Sequence, residues 1–329
     1  MLLLIKTESY KRNQIPKTVQ VGRMNKLNIT IENSRCGLGD MLHRIDVIYR
    51  FCNQAGHNFY MPEVSSALHN NKYDDTLGIS NYKPNKADWD GVVEVIDMLE
   101  FFTEIDGQNP SRLYAVRFNH AYAKSIYDER GLHKQDRLDY SPFIPLLNGT
   151  FSQNIDVLLH LRMGDSYIYS LSNDYFYHAR IRKVIHMKNI EQVELDKQWN
   201  LNDVERIIGY CQDNNLNYKI HCDGIESVIR SINWTKDGTI AAYKEEIESA
   251  ANQLEKDFLK LAGQTPALVY GNQNVELVIK DVLRTKLIVH TVGGFVTGIN
   301  KFFNPNPCKA LLINSYLSEV ICSNKDFQA

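Results

Sequence analysis

No run of about 20 apolar residues occurs anywhere in the 329-residue chain, so the sequence contains no candidate transmembrane helix. The stretch from Met1 to Ile5 is apolar for five residues before Lys6, Lys11 and Arg12. That is shorter than the apolar core of a secretion signal and fits a first strand or a frayed terminus. A cytoplasmic protein is therefore expected. A dominant charge is also missing. Lys and Arg number 37 against 39 Asp and Glu, leaving −2, so no strong field points to nucleic acid or to a membrane surface as a partner. The six cysteines (Cys36, Cys52, Cys211, Cys222, Cys308 and Cys322) include no Cys-x-x-Cys, and no His pair stands at zinc spacing. That argues against a metal centre and for reduced thiols. There is no internal repeat and no low-complexity tract.

What remains is an ordinary globular composition, 43% hydrophobic and 23% charged, at a length that suits two domains. The second half has a clear rhythm. Short apolar runs at 155–161, 218–222, 267–270, 286–290 and 310–314 alternate with segments of helical spacing at 201–215, 240–263, 273–285 and 296–302. Buried strands alternating with helices predict a parallel sheet covered on both faces, which binds its ligand at the carboxyl ends of its strands. In the first half, a strand at 27–31 leads through a glycine turn into a helix over 41–55, with Ile45, Ile48, Tyr49 and Cys52 on one face. The polar stretch 62–92 reads as loops. Turn signals cluster at 141–149, where a domain boundary is expected.

Four strand-to-helix turns carry the residues with chemical potential. Cys36-Gly37-Leu38-Gly39-Asp40 offers close backbone approach and helix-terminal amides to an anion, although glycine turns of this kind are common. His160-Leu161-Arg162-Met163-Gly164-Asp165 puts a permanent cation at a strand end, suited to a phosphate oxygen or to an Arg162–Asp165 ion pair that pins the turn. At His221-Cys222-Asp223-Gly224, Asp223 suits a ribose or base contact, or a helix cap. Gly293-Gly294-Phe295, with Thr291 and Thr297 beside it, is a second diphosphate cradle or a tightly packed turn. Together they supply an arginine, two glycine-rich cradles and an acid, which suits a sugar nucleotide held between two α/β domains.

The motif order, Cys-Gly-x-Gly-Asp-x-Leu, then His-x-Arg-x-Gly-Asp, then Gly-Gly-Phe, resembles the fucosyltransferase superfamily of GT-B fold. The pattern is nearest the α-1,6-fucosyltransferases, including the bacterial nodulation enzyme; the protein O-fucosyltransferases share His-x-Arg-x-Gly. The resemblance implies an α/β chain of two Rossmann-like domains whose parallel sheets face a central cleft. Residues 1–148 would form the acceptor side and 149–329 would bind the nucleotide sugar. It implies that Arg162 contacts the donor β-phosphate, and that His160 and the backbone at Gly37 and Gly39, with Asp40 in the same turn, line the nucleotide pocket. By the same token, Asp223 would lie near the guanosine and Gly294, Phe295 and Thr297 around the diphosphate. Glu276 would take the place of an aspartate near the donor, with Asp281 in reserve. Two departures stand out: Met163 replaces a second arginine of several relatives, and Gly293 and Gly294 replace serines.

The implied reaction is inverting transfer of fucose from GDP-fucose to a glycan or glycolipid hydroxyl, without metal or other cofactor, with Arg162 opposing charge on the departing diphosphate. Asp165 is the nominee for general base, or else a turn-stabilising residue. Two alternatives stand beside it. Asp88-Trp89-Asp90 matches the Asp-x-Asp pair of metal-dependent glycosyltransferases, and a catalytically silent nucleotide- or glycan-binding protein on the same scaffold would tolerate Met163. Tyr167, Tyr169, Tyr175, Phe176 and Tyr177 suit either sugar stacking or a core.

Overall fold

A computed structural model describes residues 25–32, 38–62, 89–132, 138–140, 151–164, 167–172, 174–190, 198–226, 238–263, 265, 267–271, 275–291, 295–304 and 306–321. The chain is mixed α/β and divides into two units. One comprises 1–33, 47–62 and 82–135; the other comprises 34–46, 63–81 and 136–329. The expected boundary segment 141–149 lies outside the described residues.

The first unit is built on a four-stranded parallel sheet. Its elements are β1 (Asn28–Ile31), the second half of α1 (Leu38–Ala55), β2 (Asn58–Phe59), β3 (Val93–Asp97), α2 (Met98–Thr103), β4 (Leu113–Arg117) and α3 (His120–Glu129). Strand order is β2-β1-β4-β3. All four residues of β1 are buried, because β1 is central and helices cover a parallel sheet. Helix α1 buries Ile45, Ile48 and Cys52 as its 3.6-residue period requires. Phe51 meets Phe102 edge to face, with ring centroids 4.5 Å apart. Asn119 caps α3, its side chain accepting from the amides of Ala121 and Tyr122.

The second unit holds a five-stranded parallel sheet and a small antiparallel one. In chain order come β5 (Ile155–Leu161), β6 (Ile168–Ser170), β7 (Tyr175–His178), β8 (Lys183–His186), α4 (Leu201–Asp213), β9 (Tyr218–Cys222), α5 (Gly238–Ala241), α6 (Lys244–Ala262) and β10 (Leu268–Tyr270). Then follow α7 (Val275–Leu283), β11 (Thr285–His290), α8 (Phe295–Gly298, continuing as a π-turn through Phe303), β12 (Lys309–Leu312) and α9 (Ile313–Tyr316). The parallel order is β10-β9-β5-β11-β12. The chain builds outward from β5 through β9 to β10, then crosses back to lay β11 and β12 on the other side. The reversal of direction falls between β5 and β11, the place at the carboxyl ends of the strands where open α/β sheets bind their ligands.

One face of this sheet, with Val157, Leu159, Ile220 and Val289, packs on α4, α6 and α9 through Ile207, Cys211, Ile247, Phe258 and Tyr316, all buried. The strands expected at 155–161 and 218–222 are present at those bounds. The hairpins β6-β7-β8 have no counterpart in the sequence reading.

Candidate functional site

Three strands of the second unit, β9, β5 and β11, end side by side. Asp223, Arg162 and Thr291 are the residues that follow them. His221, His160 and His290 stand in register one or two residues earlier, His160 between the other two. Arg162 and Thr291 thus flank the reversal point, and they are joined: the Arg162 amide donates to Thr291 Oγ1 at 3.0 Å. The Thr291 amide returns a bond to the His160 carbonyl at 3.1 Å.

The turn 162–164 that carries the guanidinium is fully hydrogen-bonded. The amides of Met163 and Gly164 both donate to Asp223 Oδ1, at 2.6 and 3.3 Å. Trp199 Nε1 donates to the Arg162 carbonyl at 3.1 Å, the Tyr169 hydroxyl donates to the Met163 carbonyl, and the Tyr167 amide donates to the Gly164 carbonyl at 3.4 Å. Three consecutive peptides therefore have all their donors and acceptors engaged, five of the six by side chains from other segments. Such a turn has little freedom to rearrange. The side chain it carries is held as well, since Arg162 Nε lies 3.4 Å from Asp223 Oδ2. The two side chains keep 26% and 15% of their exposure, so the pair sits at a partly open surface rather than in the core.

Each supporting group has a local reason for its place. Trp199 is pinned by the capping box that follows it: Asn200 accepts from the Asp203 amide at 3.0 Å, and Asp203 accepts from the Asn200 amide at 3.1 Å. Gln198 clamps Ile168 of β6 through both its amide and its carbonyl, at 2.7 Å each. Tyr169 and Tyr177, both 1% exposed, are core residues, and Tyr167 is buried with them. Of the aromatic group considered for sugar stacking, these three fill the interior, whereas Tyr175 and Phe176 stay half-buried on β7. Gly224 has φ +72°, and an added Cβ would stand 2.9 Å from the Tyr270 hydroxyl. The chain can leave Asp223 by this route only with glycine there.

Met163 is fully buried, packed in the same cluster as Tyr169, Cys222 and Phe258. The side chain at this position points inward, which suits an apolar residue.

The electrostatics follow from burial. His160 is 9% exposed. Burial, then the neighbouring His221, Arg162 and His290, hold its pKa well below the usual histidine value, so its imidazole is neutral at neutral pH. His290 is lowered for the same first reason, its burial. His221 Nε2 lies 3.0 Å from Asp281 Oδ2. An ionised carboxylate only accepts, so that nitrogen carries a proton, and the buried Nδ1 has no hydrogen-bond partner among the described residues.

The structure brings Arg162, His160 and Asp223 together, with Phe295 beside them, its ring centroid 6.4 Å from that of His160. Thr297 lies on the same short helix, half-buried. Glu276, second residue of α7, pairs with Lys280 one turn on. Asp281 is fully buried and bonded to Lys219 and His221, a structural place. Gly39 and the exposed Asp40 lie in the first turn of α1, where a carboxylate favours the helix dipole. Asp90 makes a local turn, its Oδ1 accepting from the Val92 amide at 2.9 Å. Gly37, Asp165, Gly294 and Asp88 lie outside the described residues. Trp199 has no role in the sequence reading, and neither the bond from the Arg162 amide to Thr291 nor that from the Tyr169 hydroxyl to the Met163 carbonyl is foreseen there. The Asn200-x-x-Asp203 box was the legible signal for Trp199, and the strand-end position was the signal for Thr291.

Among the described residues, no group of three or more His, Cys, Asp or Glu is placed to hold a metal ion, and no helix is long and apolar enough to cross a membrane. No known protein family matches the chain, and no curated protein does. One solved structure, the glycosyl transferase family 9 from Veillonella parvula DSM 2008, aligns over 94% of this chain and 92% of its own, at 12% identity and a TM-score of 0.36. At that distance the functional reading rests on the residues of the site.

Proposed function

We propose that this protein is an inverting, metal-independent glycosyltransferase of GT-B type that moves fucose from GDP-fucose to a glycan or glycolipid hydroxyl. The observation that supports it is the place of Arg162. It is a fixed cation at the carboxyl end of the central strand β5, beside the reversal point, bonded to the strand-end residues on either side. Open α/β sheets bind their ligands there. The resemblance of His160–Asp165 and Gly293–Thr297 to the fucosyltransferase superfamily supplies the identity of the donor.

In this reading the acceptor oxygen attacks the anomeric carbon from the face opposite the leaving group. The glycosidic C–O bond to the β-phosphate breaks, and the electron pair leaves on GDP. Negative charge grows on that phosphate, and Arg162 opposes it. Because the turn is already hydrogen-bonded throughout, the guanidinium need not reorganise as the charge develops, which is where electrostatic catalysis gains most. Neutral His160 adds no charge beside Arg162, and the Phe295 ring lies next to it. Asp165 is the proposed proton acceptor for the attacking hydroxyl.

The test is GDP release from GDP-fucose in the presence of a panel of glycan acceptors, comparing wild type with Arg162→Ala. The expected loss in kcat is at least about 100-fold, with circular dichroism and melting temperature retained. Equal turnover by the variant would overturn the assignment of Arg162.

A further inference from the structure

The geometry points to Asp223 as a positioning residue that acts through Arg162 and not as a nucleoside contact; this rests on the proposed reading of Arg162 as the donor-phosphate cation. Three protein donors converge on its carboxylate. Oδ1 takes the amide hydrogens of Met163 and Gly164, at 2.6 and 3.3 Å, and Oδ2 faces Arg162 Nε at 3.4 Å. One oxygen therefore fixes the backbone of the turn, and the other fixes the plane of the guanidinium, whose planar fork gives direction to whatever it binds. The backbone around the aspartate is arranged to keep it there. Its own amide donates to the Leu161 carbonyl at 3.3 Å, tying it to the end of β5. Gly224, at φ +72°, turns the chain away, and Tyr270 occupies the space a side chain at 224 would need.

Asparagine separates the two functions. In Asp223→Asn the remaining carbonyl oxygen still accepts from the Met163 and Gly164 amides, but the new NH2 group meets Arg162 Nε–H as donor against donor. Loss of a charge-assisted bond weakens ligand binding about ten- to hundredfold. GDP is titrated into wild type, Asp223→Asn, Arg162→Ala and the double variant. If Asp223 acts through Arg162, the double variant binds GDP within about threefold of Arg162→Ala, because the aspartate has nothing left to position. If the two losses multiply, Asp223 touches the ligand itself and the inference is overturned.

A ligand-free measurement keeps the two claims apart. Hydrogen exchange at Arg162 Nε and at the Met163 and Gly164 amides is followed by NMR. In wild type all three are protected. In Asp223→Asn the Nε–H exchanges at least about tenfold faster while the amides stay protected; in Asp223→Ala all three lose protection. Equal Nε exchange in wild type and Asp223→Asn overturns the inference whatever GDP does. Failure of wild type to bind GDP, with the exchange pattern as expected, removes the donor reading and leaves Asp223 the positioning residue of Arg162.

Discussion

His221 Nε2 lies 3.0 Å from Asp281 Oδ2 inside the second unit, and Lys219 Nζ meets both oxygens of the same carboxylate, at 2.8 and 2.9 Å. Lys219 and His221 are two apart on β9, so both project to the face covered by α7, where Asp281 is fully buried. Burial alone would raise this carboxyl, but hydrogen bonds from His221 and Lys219 outweigh it and hold the pKa below its ordinary value. Removing the acid strands one buried ring N–H and a partly buried ammonium. Asp281→Ala is therefore expected to cost about 3 kcal/mol, measured by urea unfolding. A loss under about 1 kcal/mol would show that the triad adds nothing to stability.

Stability is also expected to depend on pH through the histidines. His160, His290 and His57 all have pKa values below the usual 6.5 when folded, burial being the leading cause in each. Between those folded values and about 6.5, the unfolded chain binds more protons than the folded one, so stability rises with pH and levels off above about 6.5. Unfolding midpoints across about pH 5 to 8 check this, and His160→Gln should flatten the slope. A midpoint that falls as pH rises through that window would have the wrong sign.

Strong, short, two-sided apolar runs announced the second unit: β5 and β9 stand where 155–161 and 218–222 placed them. The first unit was harder. β3 and β4 are marked by Val-Glu-Val-Ile and Leu-Tyr-Ala-Val, ordinary enough to pass for loop-side apolar residues, and β4 is recognisable only once its pairing with β1 is seen. The strand-end places of Arg162 and Asp223 were legible because each directly follows a short apolar run. Their partnership was not. It depends on β9 lying next to β5, a long-range pairing across 61 residues that no local period encodes.

Met163 offers a direct test of how firmly the inner side of the 162–164 turn is packed. The side chain is fully buried against Tyr169 and its neighbours, so a longer, charged guanidinium there would have to be desolvated among apolar groups. Met163→Arg is expected to destabilise by about 4 kcal/mol or more, seen as a large drop in unfolding midpoint or loss of soluble protein. A variant as stable as wild type would show that position 163 can open to the surface.

The most direct test of the central claim is calorimetric titration of GDP and UDP into wild type and Arg162→Ala, each with and without EDTA. The account predicts that wild type binds GDP in preference to UDP, that EDTA leaves the affinity unchanged, and that Arg162→Ala weakens it at least about tenfold. UDP binding abolished by EDTA and indifferent to Arg162 would contradict it.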